Sequence, residues 1–334
     1  MVEVKGLGLW AWVLDRIHKG DVPAMAAEAK ALSASRVLIK ASDGISTQNR
    51  QTATKLATAL AERGIKTWAW AYLYDRKPDE QANILVTRAR SMGAEAVVLN
   101  VEKEFSDDSK PVDEAALEAL LVAVRSQWAG PLAVSSYGRI THFPGWPWHL
   151  LRKHGVLGMP QVYGFSSEEH ARARIRVAVE NYAQLGVRVI PTFGAWVDDS
   201  FDHSWREVRG CIAETAALAG EGLCEPAADA WSWQHFAKHP EADSLLDVLS
   251  NPAKFEATGP ARTFLLPDSV KVTDSWQHKA ALMRLGLWGA PLFGSHKAWD
   301  GAVKAYQKAR GLTPDGAIGP KTHAVLRAEA HVNA

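Results

Sequence analysis

The sequence predicts an α/β fold, a (β/α)8 TIM barrel followed by a small all-α three-helix domain. Short apolar runs alternate with amphipathic helices through residues 1–239, and each unit has a capping glycine or proline nearby, which is typical of such a barrel. After His239 the periodicity stops and prolines recur, which indicates a linker. We therefore predict a barrel over 1–239, a linker over 240–270 and a helical domain over 271–332.

Eight short runs are predicted to form the barrel strands. The fourth, Ala96–Leu99, has no polar residue, as expected of a strand covered on both faces in a parallel sheet. The predicted strands are Leu7–Val13, Arg36–Ile39, Lys66–Tyr72, Ala96–Leu99, Leu132–Ser135, Val156–Val162, Arg188–Thr192 and Ala228–Trp233.

Amphipathic segments between these runs are predicted to be helices. Asp21 and Pro23 mark the start of the first one, and Gly64 ends the second one as a C-cap. A further short helix is expected inside the linker, at Leu245–Leu249. The predicted barrel helices are Val22–Leu32, Thr47–Arg63, Asp79–Met92, Val112–Trp128, Pro147–His154, Glu168–Leu185 and Trp205–Ala219.

Composition excludes several classes of protein. A formal net charge of +1, with no basic run, argues against binding to nucleic acid or anionic lipid. Two cysteines make no disulfide framework, and the histidines are too scattered for a compact metal site, so we expect no cofactor and no metal. No run is long enough to span a membrane, and no signal peptide is evident, so we expect synthesis in the cytoplasm.

The end of the fourth strand is the best candidate for chemistry. Asn100, Glu102 and Glu104 follow the apolar run, where strand geometry would point alternate side chains in one direction. Active sites of (β/α)8 barrels form at this end of the strands. We therefore interpret Glu102 as functional, whereas Glu104 taken alone reads more simply as a solvated loop charge.

The C-terminal segment resembles the peptidoglycan-binding domain type 1 of cell-wall hydrolases. The resemblance rests on a D-G-x-x-G-P turn followed by a helix, and it covers most of Asp274–Ala328. It implies binding to bacterial peptidoglycan, so we expect action at the cell wall. The matching residues are Val303, Tyr306, Gln307, Gly311, Leu312, Asp315, Gly316, Ile318, Gly319, Pro320, Thr322 and Leu326.

The barrel is similar to the lysozyme-like glycoside hydrolase family 25 and more loosely to family 18. The segment Arg36–Gly44 resembles the second strand of family 25, which ends its fourth strand in D-x-E. Here Asn100 stands in place of that Asp, with Glu102 in place of the Glu, and Trp10 or Trp12 occupies the usual position of an Asp in the first strand. These departures imply a divergent branch.

Family 18 places a Tyr after its sixth strand and a Trp on its eighth. The resemblance assigns the first role to Tyr163, with Gln161 beside it, and the second to Trp231 or Trp233. It implies hydrolysis of β-1,4 bonds between N-acetylated amino sugars, with Glu102 as the general acid. In the preferred substrate-assisted form, Asn100, Gln161 and Tyr163 hold the acetamide of the substrate.

Other assignments stay open at this point. Glu104, Asp43 or Asp198 would otherwise supply a second carboxylate, and Tyr72 and Trp196 are candidates to line a sugar groove. The two-domain layout fits a phage-type endolysin acting as a monomer, and equally a prophage-derived or secreted bacterial enzyme. The competing hypotheses are a non-catalytic wall-binding protein with a degenerate barrel, and a glycosidase acting on another polysaccharide such as a chitin-like polymer.

Overall fold

The computed structural model describes residues 4–47, 50–105, 113–140, 143, 145–197, 203–251 and 296–332. The chain divides into two compact units, Met1–Thr258 and Gly259–Ala334.

The first unit is a closed barrel of eight parallel strands. Each strand pairs with the next one along the chain, and the eighth strand closes the barrel by pairing with the first. This topology confirms the predicted fold class. The strands are β1 Gly6–Ala11, β2 Ala34–Asp43, β3 Lys66–Tyr72, β4 Ala96–Asn100, β5 Leu132–Tyr137, β6 Leu157–Val162, β7 Thr192–Gly194 and β8 Ala227–Trp231.

Helices follow the strands and cover the barrel. As the sequence indicates, Asp21 caps the first helix, its carboxylate accepting a hydrogen bond from the backbone N–H of Ala24. The helices of this unit are α1 Val22–Ala31, α2 Arg50–Ala61, α3 Pro78–Ser91, α4 Glu114–Gln127, α5 His149–Lys153, α6 Glu168–Gln184, α7 Trp205–Gly220 and α8 Ala242–Ser250.

The seventh strand differs from its prediction. The strand expected at Arg188–Thr192 begins only at Thr192 and runs to Gly194. Before it, Val189 forms a single isolated bridge with Gly158. Pro191 has no backbone N–H to donate to a neighbouring strand, so the ladder cannot run continuously through the predicted segment.

The segment after His239 contains the short helix that was expected within the predicted linker. Helix α8, which contains the short helix predicted at Leu245–Leu249, packs against α7. Leu245 and Leu249 are fully buried, and Ser33 donates a hydrogen bond of 3.0 Å to the Ser250 carbonyl. Burial of these two leucines holds the start of the predicted linker within the first compact unit.

Bulky side chains fill the barrel interior. Successive residues of a strand point to opposite faces, so alternate residues such as Trp68 and Trp70 both enter the interior cluster. Trp10 meets Trp70 edge-on, with ring centroids 5.1 Å apart. The same alternation, continued beyond the apolar layers, directs polar side chains into the mouth at the C-terminal ends of the strands.

Two helices of the second unit are described, α9 His296–Ala309 and α10 Pro320–Val332. Gln307 holds the turn between them: its amide nitrogen donates to Asp315 Oδ1 at 2.7 Å, and its amide oxygen accepts from the N–H of Gly316 at 2.9 Å. The earlier helix expected in this domain lies outside the described residues.

Candidate functional site

Strand register brings the predicted residues to one level at the barrel mouth. Asn100 at the end of β4 pairs with Tyr72 of β3 on one side and with Ser135 of β5 on the other. Gln161 of β6 pairs with Tyr137 of β5. Residues far apart in sequence therefore surround one opening, where Glu102 follows Asn100 along the interior-facing row.

The Gln161 side chain connects the polar groups of this site through hydrogen bonds. Its amide nitrogen donates to Asn100 Oδ1 at 2.8 Å and to Glu102 Oε1 at 2.9 Å, and it lies 3.2 Å from Ser135 Oγ. Asn100 and Ser135 are buried, whereas Glu102 is only half-buried. The amide fixes one carboxylate oxygen of Glu102, and the second oxygen accepts no hydrogen bond from any residue that the structure describes.

Tyr163 lies beside Gln161 and is a neutral phenol. Burial raises its pKa well above the usual value, and the carboxylates of Glu102 and Asp229 act in the same direction. Its ring meets Trp196 edge-on, with centroids 5.0 Å apart. Because Trp196 is itself buried, it supports the Tyr163 ring from behind and does not offer the open stacking face expected from the sequence.

Glu104 is held by a tyrosine. The Tyr72 hydroxyl donates to Glu104 Oε2 at 2.7 Å. Burial, this hydrogen bond and the charge of Glu102 raise the Tyr72 pKa above its usual value, so the phenol stays protonated. Glu104 is thus a positioned group of the mouth and not a freely solvated loop charge.

Asp43, at the end of β2, lies in a second polar cluster. It accepts hydrogen bonds from Lys40 Nζ at 2.7 Å and from the Tyr74 hydroxyl at 2.8 Å. Burial opposes its ionisation, but these two donors outweigh burial and lower its pKa. The bond to Asp43 is in turn the main reason that the pKa of Tyr74 rises to about 12.

Tryptophans line the mouth next to this cluster. Trp231 packs edge-on against Trp10 and Trp70 and stacks with Trp12, their centroids 6.1 Å apart and their planes 25° apart. Trp12 is 43% exposed. Lys40 Nζ lies 5.7 Å from the Trp12 ring and 5.2 Å from the Trp70 ring, close enough for cation–π attraction. Trp12 and Trp231 can therefore offer apolar faces to a sugar.

Trp233 does not reach this mouth, contrary to the sequence-based assignment. The chain leaves β8 at Trp231 and turns into a short 3-10 helix, Trp233–Lys238. The Trp233 indole is fully buried and donates to Glu28 Oε2 of α1 at 2.6 Å. The turn after β8 thus directs this side chain toward a covering helix.

The barrel also contains a buried ion pair that was not predicted from the sequence. Asp229 of β8 and Arg36 of β2 are both inaccessible, with Oδ1 and Nη2 2.5 Å apart. Burial raises the pKa of Asp229 to about 6, although Arg36 favours its charged form. Gly8 makes room for the pair, because a Cβ there would lie 1.7 Å from Asp229 Oδ1. A single acid within the apolar strand AADAW was the available signal.

Lys40 and Ser135 were also overlooked as site residues, although both occur at strand ends in the sequence. In the described part of the chain, no group of three or more His, Cys, Asp and Glu side chains is arranged to hold a metal ion. None of the helices described is both long enough and apolar enough to cross a bilayer.

Comparison with known families bears on the second unit. Residues 279–326 match the family model described as "Putative peptidoglycan binding domain". This match confirms the resemblance drawn from the D-G-x-x-G-P turn. The search of curated proteins finds no match for the chain.

The barrel resembles solved glycoside hydrolases in fold. A GH18 chitinase from Pseudoalteromonas aurantia has a TM-score of 0.54 and 11% identity, over 73% of this chain and 98% of that one. A GH113 β-mannanase from Alicyclobacillus acidocaldarius has a TM-score of 0.52 and 13% identity, over 75% of this chain and 96% of that one. Identities this low establish the shared fold alone.

Proposed function

We propose that this protein is a peptidoglycan hydrolase whose barrel cleaves β-1,4 glycosidic bonds between N-acetylated amino sugars. The observation that carries the proposal is the Gln161 amide, which joins Asn100 and Glu102 at the barrel mouth with bonds of 2.8 and 2.9 Å. Shared fold with glycoside hydrolases is compatible with this chemistry, but fold alone does not specify a reaction, and the support comes from the geometry of the site.

Glu102 is the proposed general acid. Cleavage of a glycosidic bond requires a proton for the leaving oxygen as the sugar carbon acquires oxocarbenium character. Glu102 is half-buried at the mouth, and Gln161 fixes its Oε1 while its other oxygen accepts no bond from the described residues. Such a carboxyl group is oriented and still has an oxygen available to a substrate, as proton transfer requires.

The second catalytic function is proposed to come from the substrate. The acetamide oxygen of the sugar would attack the anomeric carbon, with Asn100, Gln161 and the neutral phenol of Tyr163 holding the acetamide. Two of the residues considered as a second catalytic carboxylate, Glu104 and Asp43, lie in the described part of the chain. Glu104 accepts a hydrogen bond from Tyr72, and Asp43 accepts hydrogen bonds from Lys40 and Tyr74. These contacts favour substrate assistance.

The second unit supplies the reason to choose peptidoglycan as the polymer. Its match to a peptidoglycan-binding family supports retention of the protein on the bacterial wall. Tethering raises the local concentration of bonds available to the barrel. Within this proposal the protein is a lysozyme-like, muramidase-type enzyme that acts at the cell wall, as an endolysin does.

The test is digestion of purified peptidoglycan followed by mass spectrometry of the reduced products. Wild-type protein is expected to release disaccharide muropeptides, and the sugar at the reducing end identifies the bond. Glu102→Gln should release none, whereas Glu95→Gln, which alters a carboxylate paired with Lys66 on the surface, should behave as wild type. Products released by cleavage of peptide bonds would refute the glycosidase assignment. Wall binding by wild type without products would favour a non-catalytic wall-binding protein.

A further inference from the structure

A cavity of about 210 Å³ opens beside the proposed catalytic groups, between β5, β6 and α6. Gln161 and Tyr163 form the wall that it shares with the site. Its other lining residues include Tyr137, Arg139, Phe143 and Arg174. The cavity is smaller than the pockets that take whole drug-sized ligands, so its size suits a substituent of a bound chain.

Two arginines line this cavity without an acidic partner. Within the described residues, neither Arg139 nor Arg174 has a carboxylate at ion-pair distance. The neighbouring arginines of α6 show the contrast, since Arg172 pairs with Glu168 at 3.2 Å and Arg176 with Glu214 at 2.6 Å. Arg174 is thus set apart on its own helix by facing the cavity.

The Arg174 guanidinium is held in place but not fully satisfied. Its Nη1 donates to the Gly164 carbonyl, just after β6, and its buried Nε has no hydrogen-bond partner among the residues that the structure describes. Burial, together with the nearby charge of Arg139, lowers the pKa of Arg174. A buried donor without a partner and two adjacent positive charges are both costly, and an anion in the cavity would relieve both.

The opposite wall is aromatic. Tyr137 and Phe143 stack with centroids 3.5 Å apart and planes 10° apart. This rigid apolar face next to a guanidinium pair suits a group that has both a hydrocarbon part and a carboxylate, because arginine presents its donors as a planar fork that matches a carboxylate.

We propose that Arg139 and Arg174 form a carboxylate-binding subsite that selects amino-sugar chains bearing an acidic substituent. This inference rests on the proposed function and deepens it, since the ether-linked lactyl group of muramoyl residues, or the peptide attached to it, carries a carboxylate that a chitin-like chain lacks. The subsite adjoins Gln161 and Tyr163, so binding there would place an acid-bearing sugar next to the catalytic groups.

The test compares three soluble glycans in the full-length protein on a Glu102→Gln background, by titration calorimetry. The first is peptide-free peptidoglycan strands with free lactyl carboxylates, the second the same strands reduced to the alcohol, and the third peptide-bearing strands. We expect the carboxylate form to bind about tenfold or more tightly than the alcohol, as for a hydrogen-bonded charge pair. The C-terminal unit is common to every variant, so its contribution cancels.

Arg139→Gln should remove the preference for the carboxylate form, Arg139→Lys should retain part of it, and Arg174→Lys should weaken it. Arg63→Gln is the matched control, since Arg63 lies after α2 at the opposite end of the barrel and donates to the Ala59 carbonyl. A preference in peptide-free strands identifies the lactyl carboxylate, and one confined to peptide-bearing strands identifies the peptide.

Equal binding of the carboxylate and alcohol forms, or a preference that survives Arg139→Gln, would overturn the subsite. Failure of the proposed function is read separately, from the products of wild-type protein. A protein that cleaves no glycan but keeps the arginine-dependent preference would refute the hydrolase and retain the subsite. Cleavage of glycan by a protein that binds the carboxylate and alcohol forms equally would support the hydrolase and refute the subsite. Failure to bind any of the glycans would also refute the subsite.

Discussion

Gln161 of β6 donates a hydrogen bond of 2.9 Å to Glu102, which follows β4, across the open end of the barrel. The same nitrogen also donates to Asn100 Oδ1 at the end of β4, so the amide that orients the carboxylate is itself anchored to a second strand. A carboxyl group held in this way loses little further freedom when it meets a leaving-group oxygen. The position of Asn100 thus matters through the amide that it shares with Glu102.

Gln161→Leu is expected to lower kcat on peptidoglycan about 100-fold, the scale for loss of one preorganised polar contact. The leucine has a similar size but cannot orient Glu102 or hold an acetamide. Steady-state hydrolysis of soluble strands measures the effect. Gln127→Leu is the control, because Gln127 lies at the end of α4, where its amide donates only to the Ala123 carbonyl. An unchanged kcat in Gln161→Leu would show that Glu102 acts without this amide.

Glu104→Gln distinguishes substrate assistance from a second catalytic carboxylate. Tyr72 donates to Glu104, and a glutamine oxygen can accept the same bond, so the mouth should keep its shape. If the substrate supplies the nucleophile, kcat should fall by less than about tenfold, far below the effect of Glu102→Gln. A loss as large as that of Glu102→Gln would make Glu104 the second catalytic group. Both variants are measured on the same soluble strands.

Trp12→Ala is expected to raise KM for soluble strands about tenfold and to change kcat little. Trp12 is 43% exposed and stacks on Trp231, so part of its ring is available to a sugar. It follows β1, which is not adjacent to β4, the strand that precedes Glu102. Trp128→Ala is the control, because the Trp128 indole donates to the Pro131 carbonyl at the other end of the barrel. A fall in kcat with KM unchanged would instead place Trp12 next to the reacting bond.

Periodicity was sufficient to predict the barrel because its signals are local. The alternation of apolar strands with amphipathic helices needs no knowledge of distant contacts, and strand β3 has the predicted bounds, Lys66–Tyr72. Strand β7 was misplaced because the apolar run before Pro191 looks like a strand, whereas the ladder depends on N–H donors that proline lacks.

The site was only partly predictable because side-chain direction after a strand depends on the turn. The side chains of Glu102 and Gln161 point into the barrel mouth, as strand alternation predicts, and they form a hydrogen bond there. Trp233 comes after the turn that follows β8, and its indole donates to Glu28. The acid within AADAW signals a buried charge at Asp229, but its partner Arg36 could not be identified from the sequence. Arg36 lies on β2, and β2 and β8 come to flank β1 only when the barrel closes.

Asp229→Asn is expected to lower the free energy of unfolding by about 3–5 kcal/mol, because it leaves the guanidinium of Arg36 buried without a counter-charge. Denaturation by urea, followed by tryptophan fluorescence, measures the change. Glu95→Gln, which breaks the exposed pair with Lys66, should cost less than about 1 kcal/mol. A loss of similar size in both variants would mean that water reaches the Asp229 carboxylate.

The Arg176 guanidinium forms ion pairs with three carboxylates, those of Glu180, Glu214 and Glu221. Burial raises the pKa of Glu180 from 4.5 to about 7. The positive charge of Arg176 lowers this pKa, and the negative charges of Glu221 and Glu214 raise it further. Between these two pH values the folded state binds more protons than the unfolded state. The contribution of Glu180 to the free energy of unfolding therefore falls as pH rises from about 4.5 through about 7.

Glu180→Gln should remove this contribution, because a neutral amide carries no charge to desolvate. At pH 8 the variant is expected to be more stable than wild type by up to about 3 kcal/mol, and near pH 4.5 the two should be close. Urea denaturation at both pH values measures the difference, with Glu169→Gln, an exposed site on the same helix, as the control. If Glu180→Gln is instead less stable than wild type at pH 8, Arg176 stabilises the ionised carboxylate by more than burial destabilises it, and the expected pH dependence is wrong.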